Sequence, residues 1–178
     1  MGAGDDEQDD GDRLTTPAQL KALLAEHDEP GPIEADDEDL RDARTARDDL
    51  ATVFAAHDNQ PRLAAKLNEM LARSARPRLV AHDDAPLHLH VDAPGSSWGR
   101  WLAASGAMAL ALLVAEHGAG VIGRCEAPDC THAVLRAGPG PARRYCDSTC
   151  ASRTRVAAHR ASRRLPSPLG SPVGGRKH

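Results

Sequence analysis

The chain has 178 residues, with 22 lysines and arginines against 26 aspartates and glutamates, for a formal net charge of −4. The N-terminus lacks a basic stretch followed by an apolar one, and the longest apolar run, Ala107 to Ala115, is nine residues; a span needs about 18, so the expectation is a cytoplasmic protein with no membrane partner. Aromatics are limited to Phe54, Trp98, Trp101 and Tyr145, so the core must come from Leu, Val and Ala, which favours packed helices over strands.

Residues 1–12, MGAGDDEQDDGD, are acidic and low in complexity, the composition of a disordered tail. In LTTPAQLKALLAEH, Thr16 can cap a helix, Pro17 suits its first position and Gln19 completes a capping box. Leu20, Leu23, Leu24 and His27 then share a face. A turn at DEPGPIEADDED leads to a second helix, capped by Asp36 or Asp37, with Leu40, Ala43, Arg47, Leu50 and Phe54 at helical spacing to about Ala56. A third follows Asn59, with Leu63, Leu67, Met70 and Leu71 inward.

The segment PRLVAHDDAPLHLHVDAP reads as a β-hairpin near residues 78–92, with HDDAP as its turn. Leu87, Leu89 and Val91 form its apolar face; His88, His90 and Asp92 alternate with them. Both imidazoles of a His-x-His on a strand point the same way, as metal binding requires. With no third ligand close in sequence, the expectation is two polar residues on a wet face. Ser96 or Ser97 can cap a fourth helix, WGRWLAASGAMALALLVAEHG, which stops at Gly118. Its second half is apolar nearly all round, the pattern of a central buried helix, with Trp98 and Trp101 as packing anchors.

All four cysteines fall in the last third: Cys125 and Cys130, a fifteen-residue gap, then Cys146 and Cys150. In a reducing compartment such cysteines bind metal or do chemistry rather than form structural disulfides. Two short-spaced pairs across a loop suit a structural zinc ion with four thiolate ligands. The ion would order a loop, THAVLRAGPGPARR, that has no core of its own. A thiol redox switch is the competing reading. His132 and His159 are spare ligand candidates, expected at the surface.

Charge is unevenly spread. Residues 1–60 hold 18 acidic and 5 basic side chains, whereas residues 121–178 hold 3 and 11. From Cys150 onward, Ala151, Thr154, Ala158, Ala161 and Leu165 fall on one narrow side of a helical wheel, a seam for docking. Arg153, Arg160 and Arg164 stack away from it, with Arg155, His159 and Arg163 on the flank. A helix of this kind suits duplex DNA, with Arg143, Arg144, Arg153, Arg155, Arg160, Arg163 and Arg164 as the contacting residues. An acidic protein partner, or the chain's own acidic half, is the alternative. Residues 166–178, PSPLGSPVGGRKH, are rich in Pro, Gly and Ser and read as a flexible tail. No catalytic constellation is visible, and GPGP lacks the Lys-Ser/Thr of a phosphate loop; an enzyme is not expected.

RCEAPDC followed by RRYCDSTCASRTRVAAHRASRR resembles the CGNR zinc finger of bacterial proteins whose helical N-terminal domain is called ABATE, a family described as stress-induced transcription regulators. Arg143, Arg144 and Tyr145 stand before Cys146 as the family's basic pair and aromatic residue do. Cys150-Ala151-Ser152-Arg153 stands at the name-giving motif, with Ala151 and Ser152 in place of Gly and Asn. The resemblance implies an α+β protein, mostly α with a small β-hairpin. A helical domain at 13–118 precedes a four-cysteine zinc finger at 119–165 that ends in the basic helix. It further implies a zinc-binding, DNA-binding regulator; in such a protein the expected role of the N-terminal domain is to sense a signal or to form a homodimer.

Overall fold

The computed structural model describes residues 12, 14–29, 32–81, 86–138 and 140–164. Residues 1–11 of the acidic start, most of the HDDAP turn, Leu165 and the tail expected at 166–178 lie outside the described residues. The described elements run α1 (Pro17–Glu26), α2 (Asp37–Ala55), α3 (Gln60–Ser74), β1 (Arg78–Val80), β2 (His88–His90), α4 (Trp98–His117), a 3-10 turn (Ala119–Val121), β3 (Ile122–Arg124), β4 (Ala133–Leu135) and α5 (Ser148–Arg164). The α+β architecture is the one expected, with one hairpin more.

Local chemistry sets the helix starts. Thr16 accepts the N–H of Gln19 while the Gln19 side chain accepts that of Thr16. Asp36 and Asp39 form the same reciprocal box on α2, Asn59 caps α3 and Ser97 caps α4. Gly118, at φ 78°, lets the chain leave α4 in a backbone conformation that a side chain would strain.

Helix α4 lies against α2 and α3. Val53, Leu63, Leu67, Met70, Ala107 and Leu110 meet there, and Val121 and Ile122 join them from the segment after α4. Leu63 and Ile122 are almost wholly enclosed; burying such a side chain stabilises the fold by about 1.5–3 kcal/mol. A second cluster joins Leu20, Leu24, Leu40 and Ala43 to Trp98, Trp101 and Leu102. The two indoles meet edge to face at 5.7 Å, so they anchor the helix as expected. At the crossing of α2 and α4 the backbones nearly touch. A Cβ on Gly99 would lie 2.1 Å from the Asp42 carbonyl carbon. Two α2 carboxylates hold the start of α4 there: Asp39 accepts the Trp98 N–H at 2.9 Å and Asp42 accepts the Ser97 hydroxyl at 2.6 Å.

Four expectations change. Helix α4 is not buried all round: Leu112 is 58% exposed, because α2 and α3 cover one side only. The same helix, 20 residues long, reaches the length and apolarity of a membrane span although its longest uninterrupted apolar run is short; in the fold it serves as the helix on which α2 and α3 pack. On α2, Arg47 is outside, paired with Asp12 and Asp48, and Ala46 and Val53 take the inward positions. The first hairpin faces the other way. Leu79, Leu87 and Leu89 are exposed, whereas His88 and His90 are half-buried and Asp92 is buried; of the expected apolar face only Val91, just past β2, is buried. Alternation predicts two faces but not which one the fold covers.

Candidate metal centre

The second hairpin, β3 paired antiparallel with β4, carries the first two cysteines on the turn between its strands. Sequence reading missed it; VIGR and HAVLR are short apolar runs that could have marked it. Ile122 fixes β3 in the helical core, while Val134 points into the small core of the finger with Ala127, Cys125 and Cys150. A Cβ on Gly123 would lie 2.7 Å from the Arg136 guanidinium, which packs across the strand at that point. Beyond the hairpin, Glu126 accepts from Arg136 at 3.3 Å and from Arg144 at 2.7 Å, and its N–H donates to the Arg144 carbonyl. This clamp draws the Arg144–Cys146 segment, at the end of a loop rich in Gly and Pro, back onto the first cysteine pair. Arg144 also lies over the Tyr145 ring.

Asp147 begins α5. Its Oδ1 accepts the Cys150 N–H at 2.7 Å, which sets Cys150 in the first helical turn, where the N–H groups favour an anion. The four sulfurs converge: all ligand atoms lie within 4.8 Å of one another, with Cys130 and Cys146 at 3.7 Å and Cys146 and Cys150 at 3.6 Å. No disulfide joins them. Zinc bound tetrahedrally to thiolates at about 2.3 Å separates its sulfurs by about 3.8 Å. The cluster therefore has the donor set and dimensions of a four-thiolate zinc site.

Its electrostatics point the same way. Burial pushes the Cys125 thiol up, but the N–H groups of Ala127 and Cys146 outweigh this and bring it down to about 7. Burial and hydrogen bonds among the sulfurs push Cys146 well above the ordinary thiol range, and burial raises Cys150. One thiolate forms easily and the next ones resist ionisation beside it, so a divalent cation is what lets all four carry charge together.

The predicted arginines divide into two groups. Arg153 turns back: its Nη2 lies 3.7 Å from Cys150 Sγ and donates to the Pro128 carbonyl at 3.3 Å. Arg143 donates to the Cys146 carbonyl, and Arg144 is held by Glu126. These three brace the cysteine cluster, a use that wheel positions cannot reveal. Arg155, Arg160 and Arg163 are exposed and carry no ion pair or hydrogen bond among the described residues. Arg164 is the last residue of α5, and the side chains described stop at Arg163. The expected docking seam is undocked. Ala151 and Thr154 are half-buried, but Ala158 and Ala161 are exposed, since α5 runs out past the body of the finger. His132 and His159 are exposed, as expected, and neither belongs to the cluster.

The sequence profile of the CGNR zinc finger matches residues 122–163. That of ABATE, whose description reads "Putative stress-induced transcription regulator", matches residues 2–117. No curated protein matches the chain. With the ABATE profile covering well over half of its length and the finger profile enclosing all four cysteines, the chain belongs to the ABATE family and ends in a CGNR zinc finger.

Proposed function

We propose that this chain is a zinc-dependent transcription regulator that presents α5 to duplex DNA. One observation carries the reading: α5 is fixed at its first turn by Cys150 and Asp147 and is exposed from Arg155 to Arg163. A cationic helix held rigidly at one end and open along its length suits a groove lined by phosphates. The ion, held by Cys125, Cys130, Cys146 and Cys150, is a structural cross-link. Four thiolates leave no open coordination position, which supports a binding protein rather than an enzyme.

In this reading residues 119–165 form the finger and residues 13–118 a sensing or dimerising domain, flanked by tails at 1–12 and 166–178. A polar cleft lined by Asp42, Thr45, Asp49, Arg73, Arg76 and Arg100 lies beside the close contact of α2 with α4. A small polar effector bound there would act on the helix whose end leads directly into β3.

Binding of labelled duplex DNA by the zinc-loaded full chain, followed across salt concentrations, tests the proposal. Each phosphate contact contributes about 0.9 to the log–log slope. Replacing Arg155, Arg160 and Arg163 with Gln should lower the slope by about 3 and weaken binding by orders of magnitude. Equal affinity and slope in the triple variant would refute the assignment of α5. Retention of an acidic protein that duplex DNA does not displace would favour the docking alternative.

A further inference from the structure

Between Ser148 and Arg164 helix α5 has no carboxylate, so nothing on it repels a polyanion. Its covered side is marked by Cys150, which is buried, and by Ala151 and Thr154, which are half-buried. At about 100° per residue, Ser152 and Val156 each lie about 160° round the helix from Thr154. They form the outermost line of α5 and stand about 6 Å apart along its axis. Thr149, Ser152, Val156 and Arg160 line one shallow groove along that side.

Neither side chain on this line is used by the fold. Thr154 and Ser162 return their hydroxyls to the Cys150 and His159 carbonyls, as a hydroxyl on a helix often does. Ser152 is exposed and makes no side-chain hydrogen bond among the described residues. Val156 is 48% exposed and belongs to none of the hydrophobic clusters. Neither residue can neutralise a phosphate. Arg155 and Arg160 flank Ser152 on its two sides, at about 60° and about 80° round the helix, and both are exposed.

On the reading of α5 as a DNA-binding helix, we propose that Ser152 and Val156 read base edges in the major groove while Arg155 and Arg160 hold the phosphates on its two sides. A helix in that groove turns its outermost side chains to the bases and its flanks to the two backbones. The separation of about 6 Å covers about two steps of about 3.4 Å along a strand. Val156 offers methyl groups only, and the apolar group that the major groove displays is the C5-methyl of thymine, so Val156 selects a T·A pair. The Ser152 hydroxyl donates or accepts, and takes a polar base edge beside that pair. Arg163 follows Val156 by about 10 Å along the axis. There a straight helix leaves the curved groove, and Arg163 meets phosphate.

The test starts from the duplex that the zinc-loaded full chain selects out of a random pool. Each thymine of that site is then replaced in turn by uracil, which lacks only the methyl. At one position the unaltered chain should prefer thymine about fourfold, the worth of one methyl taken out of water. Val156→Ala should bind the two duplexes equally. Ser152→Ala should lose base preference at a neighbouring position. Both variants should keep the salt slope and the zinc content of the unaltered chain, since alanine suits an exposed helix position better than valine or serine. Arg155→Gln and Arg160→Gln should do the opposite, each lowering the slope by about 0.9 and leaving the selected motif intact. A motif and a thymine preference unchanged in Val156→Ala and Ser152→Ala would overturn the base-reading roles and leave DNA binding by α5 standing. Salt-sensitive capture without any motif would do the same. Failure of the unaltered chain to capture any duplex would overturn both.

Discussion

Replacing Gly99 with Ala tests the contact that sets α4 against α2. Two effects oppose each other. Alanine in a helix is favoured over glycine by about 1 kcal/mol. Against this, the new Cβ would lie 2.1 Å from the Asp42 carbonyl carbon, 2.3 Å from its Cβ and 2.4 Å from the Ala43 nitrogen. Two of those three atoms are backbone, so no rotamer change relieves the clash. The helices must separate by more than 1 Å to reach ordinary contact distance. That movement stretches the Trp98 N–H to Asp39 and Ser97 hydroxyl to Asp42 hydrogen bonds. It also opens the cluster of Leu40 and Ala43 beneath Trp98 and Trp101. Overpacking costs about 1–3 kcal/mol, and each bond weakened beside it about 1 kcal/mol. The clash therefore outweighs the propensity gain, and the variant should be less stable by about 2–4 kcal/mol. Urea unfolding of the zinc-loaded chain, followed by tryptophan fluorescence, reads this directly because both tryptophans sit at the contact. A midpoint equal to or above that of the unaltered chain would refute the reasoning.

Two further predictions concern single side chains. Arg153→Gln should lower zinc affinity about 10–100-fold in a chelator competition, because its guanidinium braces Cys150 and the Pro128 carbonyl; a phosphate contact alone would leave zinc affinity unchanged and cut the salt slope of DNA binding by about 0.9. The N–H groups of Asp39 and Glu38 hold the Asp36 carboxyl below its ordinary value of 3.8. Its contribution is thus fully present above that value and lost as pH falls through the lower folded one. Asp36→Asn should flatten the acid limb of the stability–pH profile; an unchanged limb would show that the cap does not contribute to it.

Features set by neighbouring residues were legible in the sequence. Thr16, Asp36, Asn59 and Ser97 cap helices within three residues of themselves, and Gly118 ends α4 where it was expected to. The cysteine spacing foretold the cluster because two short-spaced pairs have few other ways to converge. Features that depend on distant partners were not legible. The covered face of the first hairpin is set by what lies beneath it, and a period of two is symmetric between the faces. The second hairpin lacks the apolar–polar alternation that LHLHV shows in the first: its strands, IGR and AVL, are three residues each with no repeating pattern. The role of Arg153 rests on Pro128, 25 residues away. The contact at Gly99 rests on α2, where neither sequence segment marks the other.

The central claim is that a metal-held α5 recognises DNA. Selection of bound duplexes from a random pool tests it most directly, with zinc-loaded full chain run beside Cys146→Ser at two salt concentrations. The account predicts an enriched sequence motif with the unaltered chain and none with the variant. Absence of any duplex captured by the zinc-loaded chain at the lower salt would contradict it.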